Sequence, residues 1–439
     1  MTYQSGKCDL NSFFTHKVCL NLDRRPERWA RMNERFAKHK ITGVIRFSAI
    51  DGERLSIPAD WQGSAGAYGC LQSNLSVIQM AREARWPEVL IFEDDVVFDE
   101  DFGRKFPEFI AQLSPDWEMV LFGGLHRIEP ERVSENLLKL SFTTSTYAYA
   151  VRDTVYSAFL DLQSAARRPV DVTNRVLQER FNSYCFFPNL AWVEGGHSDT
   201  LGRALNPWWL KESLLLVGEE MDLIQRRTLL VIPHRDRTRE RLGVRNLFHV
   251  VNTYRSQLQG VTIAVVEQDQ ISSLVSGLPD NCEYIPIRDE GPLNRGRCFN
   301  QAVRKLGADK DFYVFADRDI LMGWEVKANL RKCQSYDFVS SFNQLIDLTD
   351  EDSGRIVSQK RIDGSGYTTR PRTEICAEFC TFTKTAFERI GGWDESGGKE
   401  GDHVQSRKTR QMLSVFESPG LAFRLSSGAS EDSQKRRCG

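Results

Sequence analysis

The stretch Val89-Leu90-Ile91-Phe92-Glu93-Asp94-Asp95 joins a continuous apolar run to three carboxylates. An apolar strand without polar alternation is typical of a sheet that is buried on both faces. Further elements are predicted upstream, with Pro26 in the first turn of a helix. They are a strand at 17–22, a helix at 27–39, a strand at 43–50 and a helix at 69–85. Because strands alternate with helices, the sequence predicts an α/β fold with a parallel sheet.

The second half of the chain repeats this plan. The elements predicted there are a strand at 228–232, a helix at 242–258 and strands at 261–266 and 311–315. The last strand runs into Ala316-Asp317-Arg318-Asp319, a second acidic cluster at a strand end. We therefore predict two domains, residues 1–220 and 221–439, in line with the usual domain size of about 100–200 residues.

Composition argues against several classes of protein, among them nucleic-acid binders and membrane-spanning proteins. The 439 residues carry 58 Lys and Arg against 60 Asp and Glu, whereas dedicated nucleic-acid binders carry a basic excess. No apolar run approaches the ~18 residues of a membrane span, and the N-terminus lacks the apolar stretch of a signal peptide. The ten cysteines show no zinc spacing and are expected to be reduced. The expectation is a soluble, cytoplasmic protein that binds no nucleic acid.

Carboxylates that follow a buried strand lie where open α/β sheets bind ligands. Mg²⁺ and Mn²⁺ prefer oxygen ligands and often share them with a diphosphate. A metal held between protein carboxylates and a nucleotide diphosphate neutralises charge on the leaving group, which is the electrostatic part of glycosyl transfer. Each acidic cluster taken alone also fits a polar turn or a helix cap.

The first half resembles glycosyltransferase family 25, the lipooligosaccharide and procollagen galactosyltransferase family. The motifs that carry the resemblance follow in family order at 18–28, 47–52, 69–73, 90–96, 147–150, 169–171 and 197–199. Asn74 departs from the pattern, since the family commonly has His there. The resemblance implies an inverting transfer of a sugar, typically galactose, from a UDP-sugar. It also implies that Glu93 and Asp95 surround Mn²⁺ or Mg²⁺.

The nucleotide-sugar site expected in this half lies at the ends of its strands. Its predicted residues are Asn21, Asp23, Arg24, Arg28, Asp51 and Asp94. A bidentate guanidinium suits a diphosphate, although a solvated Arg on a helix face is an equal alternative for Arg28. For the general base on the acceptor hydroxyl, Asp171 matches the family's Pro-x-Asp position and Asp199 is the reserve. The alternative role of Asp171 is a helix N-cap.

The second half resembles the β-1,4-galactosyltransferase type and the related modules of bacterial polysaccharide polymerases, over residues 228–428. The matching motifs lie at 232–237, 265–268, 293–300, 315–321 and 387–393. The resemblance implies nucleotide-sugar contacts and a metal ligand at the following positions: Pro233, Arg235, Arg237, Glu267, Asn294, Arg295 and Asp317 for the donor, and Asp319 for the metal.

Two positions depart from that second pattern. Gly401 occupies the family's base position, so the neighbouring Asp402 is the candidate base after a shift of one residue. The stretch 423–428 lacks the family's metal-binding His, which leaves His403 as the candidate ligand. A serine hydroxyl is a far poorer metal ligand than a neutral imidazole.

These patterns predict two GT-A-like (Rossmann-like) nucleotide-sugar-binding domains in tandem. The expected function is a bifunctional, metal-dependent glycosyltransferase that extends a surface glycan, such as capsule or lipopolysaccharide, on an oligosaccharide or glycolipid acceptor. A cytoplasmic location is expected, with peripheral association at the inner face of the membrane left open. The alternatives are a single active N-terminal transferase with a degenerate C-terminal domain and a non-catalytic glycan- or nucleotide-binding scaffold. A phage enzyme that glucosylates DNA bases is disfavoured by the balanced charge.

Overall fold

The computed structural model describes residues 9–236, 242–274, 277–279, 282–357, 369–371, 374–375 and 378–426. Arg237 lies outside these residues. The chain divides into two compact units, Met1–Gly218 and Glu219–Gly439.

The N-terminal unit combines short strands with helices. Its strands are β1 (Lys17–Asn21), β2 (Val44–Ser48), β3 (Glu88–Glu93), β4 (Val96–Phe98), β5 (Met119–Leu121), β6 (Leu125–His126), β7 (Glu131–Ser134), β8 (Leu137–Lys139), β9 (Thr143–Thr144), β10 (Ala148–Arg152), β11 (Ser183–Phe186), β12 (Ala191–Val193), β13 (Gly196–Ser198) and β14 (Arg203–Leu205). Its helices are α1 (Leu10–Phe13), α2 (Pro26–Lys38), α3 (Ala65–Glu83), α4 (Phe102–Ile110), α5 (Asp153–Ser164), α6 (Val170–Thr173), α7 (Arg175–Arg180) and α8 (Trp208–Lys211), with a 3₁₀ turn at Gly52–Arg54.

The main sheet of this unit has the strand order β2-β1-β3-β10-β5-β11-β8-β7. β1 runs parallel to β2 and β3, whereas β10 is antiparallel to β3. The register pairs Asn21 with Ser48 and Leu20 with Glu93, so three strands end at the same edge of the sheet. The predicted parallel arrangement is confirmed for these three strands, and the strands beyond β3 make the whole sheet mixed.

β3 is apolar because both of its faces are covered. Val89 and Ile91 belong to a buried core that includes Val77 of α3. Phe92 points to the other side, where its ring contacts Phe36 and Phe98. Burying a side chain of this size contributes about 1.5–3 kcal/mol. The continuous apolar run therefore stabilises the strand that carries the acidic cluster.

Two glycines bring α3 close to the ends of these strands. A Cβ on Gly52 would lie 1.7 Å from the carbonyl oxygen of Ala65, and one on Gly69 would lie 2.4 Å from that of Ile50. Any larger residue would separate the 3₁₀ turn from the helix. Ser64 caps α3, because its Oγ accepts a hydrogen bond from the backbone N–H of Ala67 at 2.9 Å.

The C-terminal unit has a plan of the same kind. Its strands are β15 (Thr228–His234), β16 (Thr262–Gln268), β17 (Cys282–Ile287), β18 (Phe312–Ala316), β19 (Ile320–Leu321), β20 (Phe338–Ser340), β21 (Gln344–Asp347), β22 (Thr369–Pro371), β23 (Phe379–Thr383), β24 (Val415–Glu417) and β25 (Leu421–Arg424). Its helices are α9 (Glu219–Arg226), α10 (Leu242–Gln257), α11 (Arg295–Leu306), α12 (Glu325–Lys332), α13 (Asp350–Val357), α14 (Lys384–Arg389) and α15 (Gly398–Met412).

Its main sheet has the order β17-β16-β15-β18-β23-β20-β24. The first four strands run parallel, and β23 is antiparallel to β18. Both units are therefore mixed α/β with Rossmann-like sheets, as predicted. No helix in the described part of the chain is long and apolar enough to cross a membrane.

Candidate functional site

A cleft in the N-terminal unit opens where β1 and β3 end. It encloses about 580 Å³ of empty space, including its opening to solvent. The polar side chains that line it are Arg24, Arg28, Asp51, Ser73, Glu93, Asp94, Asp95, Ser198, Asp199 and Thr200. The cleft therefore brings together most of the side chains that the sequence predicts for this half.

Two carboxyl groups at the end of β3, those of Glu93 and Asp95, have raised pKa values. Burial, together with repulsion from Asp95, Asp94 and Asp171, raises the pKa of Glu93 to about 8. Burial also raises the pKa of Asp95 to about 6, although the guanidinium of Arg28 opposes the shift. Shifts of this kind arise when anions are desolvated close to one another without enough positive charge.

One atom of this cluster fits a cation. Asp95 Oδ1 is buried and has no hydrogen-bond partner among the described residues, while Asp95 Oδ2 lies 3.5 Å from Arg28. The described residues contain no group of three or more His, Cys, Asp or Glu side chains able to hold a metal ion. The cluster thus offers two ligands at most, Asp95 and Glu93. That donor set suits a hard divalent cation that takes its other ligands from water and phosphate.

Asp94 differs from its neighbours because its carboxylate is fully engaged. Its Oδ2 accepts a hydrogen bond from Asn21 Nδ2 at 2.7 Å, and its Oδ1 accepts one from Arg28 at 3.0 Å. Asn21 is itself buried and accepts a hydrogen bond from Arg46. Asn21 and Asp94 therefore tie the end of β1 to the end of β3 beneath the cleft.

Arginines from the start of α2 converge on Asp199. Arg24 donates to Asp199 Oδ1 at 2.7 Å and to Asp51 Oδ2 at 2.9 Å. Arg25 donates to both oxygens of Asp199, at 3.0 and 3.1 Å, and Arg28 lies 3.6 Å from Asp199 Oδ2. Burial opposes the ionisation of Asp199, but the hydrogen bonds from Arg25 and Arg24 outweigh it and hold its pKa below the usual value.

Two other predicted residues lie at the margin of this site. Asp23 is paired with Arg46 at 2.7 Å and with Ser48 Oγ at 2.6 Å, on an exposed position outside the cleft lining. Asp171 accepts hydrogen bonds from the backbone N–H groups of Ser145 at 3.0 Å and Val172 at 2.9 Å. It does not line the cleft, but its charge acts on Glu93.

The C-terminal unit carries its acidic cluster at the end of β18. Arg295 donates to Asp317 Oδ2 at 2.8 Å, and its other nitrogen donates to Asp402. Burial raises the pKa of Asp402, with Arg295 opposing and Asp317 adding to the shift. Burial and the charge of Asp317 raise the pKa of Asp319 to about 6, against the attraction of Arg424. The structure thus brings Arg295, Asp317 and Asp402 together through one guanidinium.

His403 lies away from this cluster. Its Nδ1 is 2.7 Å from Glu374 Oε1, and 62% of its side chain is exposed. Arg424 lies in the stretch where the family places its His, and it donates to Glu378 at 2.6 Å. The charge of Arg424 also acts on Asp319. The positive charge that acts on Asp319 comes from the guanidinium groups of Arg424 and Arg318.

Most of the other predicted residues that the structure describes in this unit have partners of their own. Pro233 is buried within β15, and Arg235 donates to the carbonyl oxygen of Glu290 at 2.7 Å. Glu267 accepts hydrogen bonds from Tyr284 and from two serines, which hold its pKa below the usual value against the effect of burial. Asn294 caps α11 by accepting a hydrogen bond from the backbone N–H of Arg297 at 2.9 Å.

Arg25 and Arg424 were not among the residues predicted from the sequence. Arg25 adjoins Arg24 and Pro26 in the first family motif, so its position was visible, but its partner lies 174 residues away. Arg424 was visible as a cation in the stretch that lacks the expected His. Neither long-range pairing leaves a signal in the local sequence.

The fold and the cleft define a mixed α/β protein with a charged site at the ends of parallel strands. Residues 14–165 match the family model described as Glycosyltransferase family 25 (LPS biosynthesis protein). The resemblance predicted for the N-terminal half is thereby confirmed.

Parts of the chain are also similar to curated relatives and to solved structures. Procollagen galactosyltransferase 2 of Mus musculus is 27% identical over 163 residues, or 31% of this chain and 26% of the relative. Inactive glycosyltransferase 25 family member 3 of Homo sapiens is 24% identical over 164 residues, or 32% of this chain and 27% of the relative. The alignments thus span about a quarter of the length of these relatives. Drosophila β-1,4-galactosyltransferase 7, solved with manganese, UDP-Gal and xylobiose, aligns at a TM-score of 0.28 with 14% identity, covering 48% of this chain and 79% of that one.

Proposed function

We propose that this protein is a glycosyltransferase whose N-terminal unit transfers a hexose, with galactose as the first candidate, from a UDP-sugar to a hydroxyl group of a glycan. The acceptor would be an oligosaccharide or glycolipid on the route to a surface glycan such as capsule or lipopolysaccharide. The observation that carries the proposal is the cleft itself. Within the stretch that matches the family model, Glu93, Asp95, Arg24 and Arg28 line one cleft, and Arg28 lies 3.5 Å from Asp95 Oδ2.

Two sets of side chains in the cleft suit two parts of a UDP-sugar, its diphosphate and its nucleoside. Arg24 and Arg28 supply the planar, bidentate donors that recognise phosphate oxygens. Asp51 caps the 3₁₀ turn that follows the neighbouring strand β2, and it lines the cleft where a sheet-edge crevice would hold a nucleoside. Asp51 also accepts a hydrogen bond from Arg24, which links the two sets of side chains.

Transfer with inversion needs one base on the acceptor. The acceptor oxygen attacks the anomeric carbon, the bond from that carbon to the diphosphate oxygen breaks, and UDP leaves with the electron pair. The acceptor proton passes to a carboxylate, for which Asp171 is our candidate. Asp199 is the reserve candidate: it lines the cleft, and its hydrogen bonds to Arg24 and Arg25 stabilise its ionised form.

The carboxylates also suit a divalent metal. The unpartnered Oδ1 of Asp95 and the raised pKa values of Asp95 and Glu93 are what two anions show when a counter-charge is lacking. Mn²⁺ or Mg²⁺ bound there would supply positive charge for the diphosphate leaving group. Arg28 contributes positive charge to the same place from the protein.

The C-terminal unit is a candidate for a second nucleotide-sugar domain of GT-A type, which would make the protein bifunctional. A linked second site would act on the product of the first at a raised effective concentration. The bridge from Arg295 to Asp317 and Asp402 favours the alternative, a unit that retains the fold and has lost catalysis. We therefore place the first activity in the N-terminal unit.

The test is a donor panel on the full chain. UDP-Gal, UDP-Glc and UDP-GlcNAc are incubated with the protein in Mn²⁺, in Mg²⁺ and in EDTA, and released UDP is measured with and without glycan acceptors. We expect turnover of one donor, its loss in Asp95→Asn and its retention in Asp60→Asn. Asp60 pairs with Arg167 at 2.9 Å outside the cleft lining, so the control removes the same charge. Equal turnover by Asp95→Asn and the wild type would refute the proposal.

A further inference from the structure

The carboxylate of Asp199 occupies an anion site. It receives hydrogen bonds from Arg24 and Arg25 and lies 3.6 Å from Arg28, and only 12% of its side chain is exposed. Two of these arginines, Arg24 and Arg28, line the cleft. Three guanidinium groups around one carboxylate resemble the way in which proteins hold a phosphate group.

The carboxylate is carried by a hairpin that is separate from the main sheet. β13 and β14 pair only with each other among the strands of the described residues, and Asp199 follows β13 directly. Gly196 opens the hairpin at a φ of +141°, which an L side chain rarely adopts. The hairpin is held on the cleft by polar contacts, from Arg28 to the carbonyl of His197 and from Ser64 Oγ to the carbonyl of Thr200.

Arg25 differs from the other two arginines in its position. Arg25 donates hydrogen bonds to both carboxylate oxygens of Asp199 but does not line the cleft. An entering ligand therefore contacts Arg24 and Arg28 first. The contacts of Arg24 and Arg28 with Asp199 are exchangeable, because a diphosphate offers more negative charge and more acceptor atoms than one carboxylate. Arg25 would keep its hydrogen bonds to Asp199 while Arg24 and Arg28 exchange Asp199 for the diphosphate.

We propose that Asp199 is an internal competitor for the diphosphate subsite of this cleft: it pairs with Arg24 and Arg28 when no donor is bound, and a diphosphate displaces it from them. The inference rests on the proposed function for the identity of the ligand. It assigns Asp199 to donor binding rather than to proton transfer, and it makes Arg25 a positioning residue. Entry of the donor would then loosen the hairpin of residues 196–205.

The first measurement is the affinity of the full chain for pyrophosphate in EDTA, by calorimetry. Asp199→Asn removes the competing charge and keeps the shape, so the apparent dissociation constant should fall, by about tenfold if Asp199 occupies the subsite nine-tenths of the time. Asp60→Asn, which removes an equivalent Arg-bound carboxylate outside the cleft, should bind as the wild type does. Equal or weaker binding by Asp199→Asn would overturn the inference.

A second measurement uses the wild type alone and does not depend on the folding of a variant. Hydrogen exchange of the amides in β13 and β14 should become faster when pyrophosphate saturates the protein. Slower or unchanged exchange would mean that Asp199 stays in place, and the inference would fail. If both measurements succeed while no UDP-sugar is turned over, the proposed function fails and the subsite stands. If turnover is found but Asp199→Asn binds no tighter, only the inference fails.

Discussion

The two units place an acidic cluster at the same point of two similar sheets, but they balance its charge differently. In each unit the cluster lies at the end of β3 or β18, the strand at which a run of adjacent parallel strands meets an antiparallel neighbour. In the N-terminal unit Arg28 contacts Asp94 and Asp95 and leaves one oxygen of Asp95 unpartnered. In the C-terminal unit Arg295 bridges Asp317 and Asp402.

This difference shows that the topology sets where the carboxylates lie, while the cations around them decide what they can bind. A cluster with a carboxylate oxygen unpartnered gains from a divalent cation, whereas a bridged pair must first give up its guanidinium. Removing one partner of a buried, bridged pair is costly, since it leaves the other charge uncompensated. We therefore expect the N-terminal cluster to respond to metal more strongly than the C-terminal one.

The largest difference between the units should appear when the candidate bases are removed. Asp171→Asn should lower the turnover of the UDP-sugar by about 10²–10⁴-fold while UDP binding is retained, because the acceptor proton loses its carboxylate. Asp402→Asn should leave that same reaction unchanged. The comparison is made in the full chain at saturating donor. If Asp402→Asn abolishes the turnover instead, the activity belongs to the C-terminal unit.

The next effect concerns the metal. Asp95→Asn should weaken the binding of Mn²⁺ by about 10–100-fold, the usual consequence of altering a ligand shell. Asp319→Asn should change the strongest Mn²⁺ site little, because the charges of Arg424 and Arg318 already act on Asp319. Calorimetric titration of each full-length variant with Mn²⁺ and UDP measures both. Equal losses in the two variants would show that the units bind metal alike.

Much of this arrangement was predictable from the sequence. The apolar run at Val89–Phe92 predicted a doubly covered strand, and the structure buries all four residues. The acidic cluster was placed correctly at the strand end because residues that follow a strand are fixed by the strand itself. The predicted helix at 69–85 begins earlier, at Ala65, because Ser64 caps it.

The remaining features depend on contacts between distant segments. β10, β5 and β11 extend the sheet beyond β3, but β5 has only three residues and shows no clear period. The contacts of Arg25 with Asp199 and of Arg295 with Asp402 span 174 and 107 residues. Such pairs are set by the approach of whole elements. Local patterns therefore identified the carboxylates and could not say which guanidinium neutralises them.

A smaller effect is expected in the pH dependence of stability. The pKa of Glu93 rises from its usual 4.5 to about 8, so the fold favours the protonated carboxyl group. This contribution to stability is fully present below about pH 4.5 and is lost as the pH rises through 8. In EDTA, the Tm of Glu93→Gln should therefore exceed that of the wild type increasingly from pH 5 to pH 9.

The C-terminal unit provides the comparison for this effect. The pKa of Asp319 rises only to about 6. The Tm of Asp319→Asn relative to the wild type should therefore increase between about pH 4 and pH 6 and stay constant above pH 6. Each kcal/mol lowers the Tm of a domain of this size by roughly 2–4 °C, which calorimetry resolves. If the difference in Tm between Glu93→Gln and the wild type does not change with pH, the raised pKa of Glu93 is contradicted.

The smallest effect should come from His403, whose side chain pairs with Glu374 on an exposed position. Its imidazole contacts Glu374 at 2.7 Å on an exposed position, and exposed ion pairs contribute about 0–1 kcal/mol. His403→Ala should therefore shift the Tm by no more than about 4 °C. Glu374→Gln, which removes the other half of the pair, should behave alike. Mn²⁺ binding should stay as in the wild type in both variants. A tenfold loss of Mn²⁺ affinity in His403→Ala alone would mean that the imidazole leaves Glu374 for the metal, and the two units would then be more alike than their charge balance indicates.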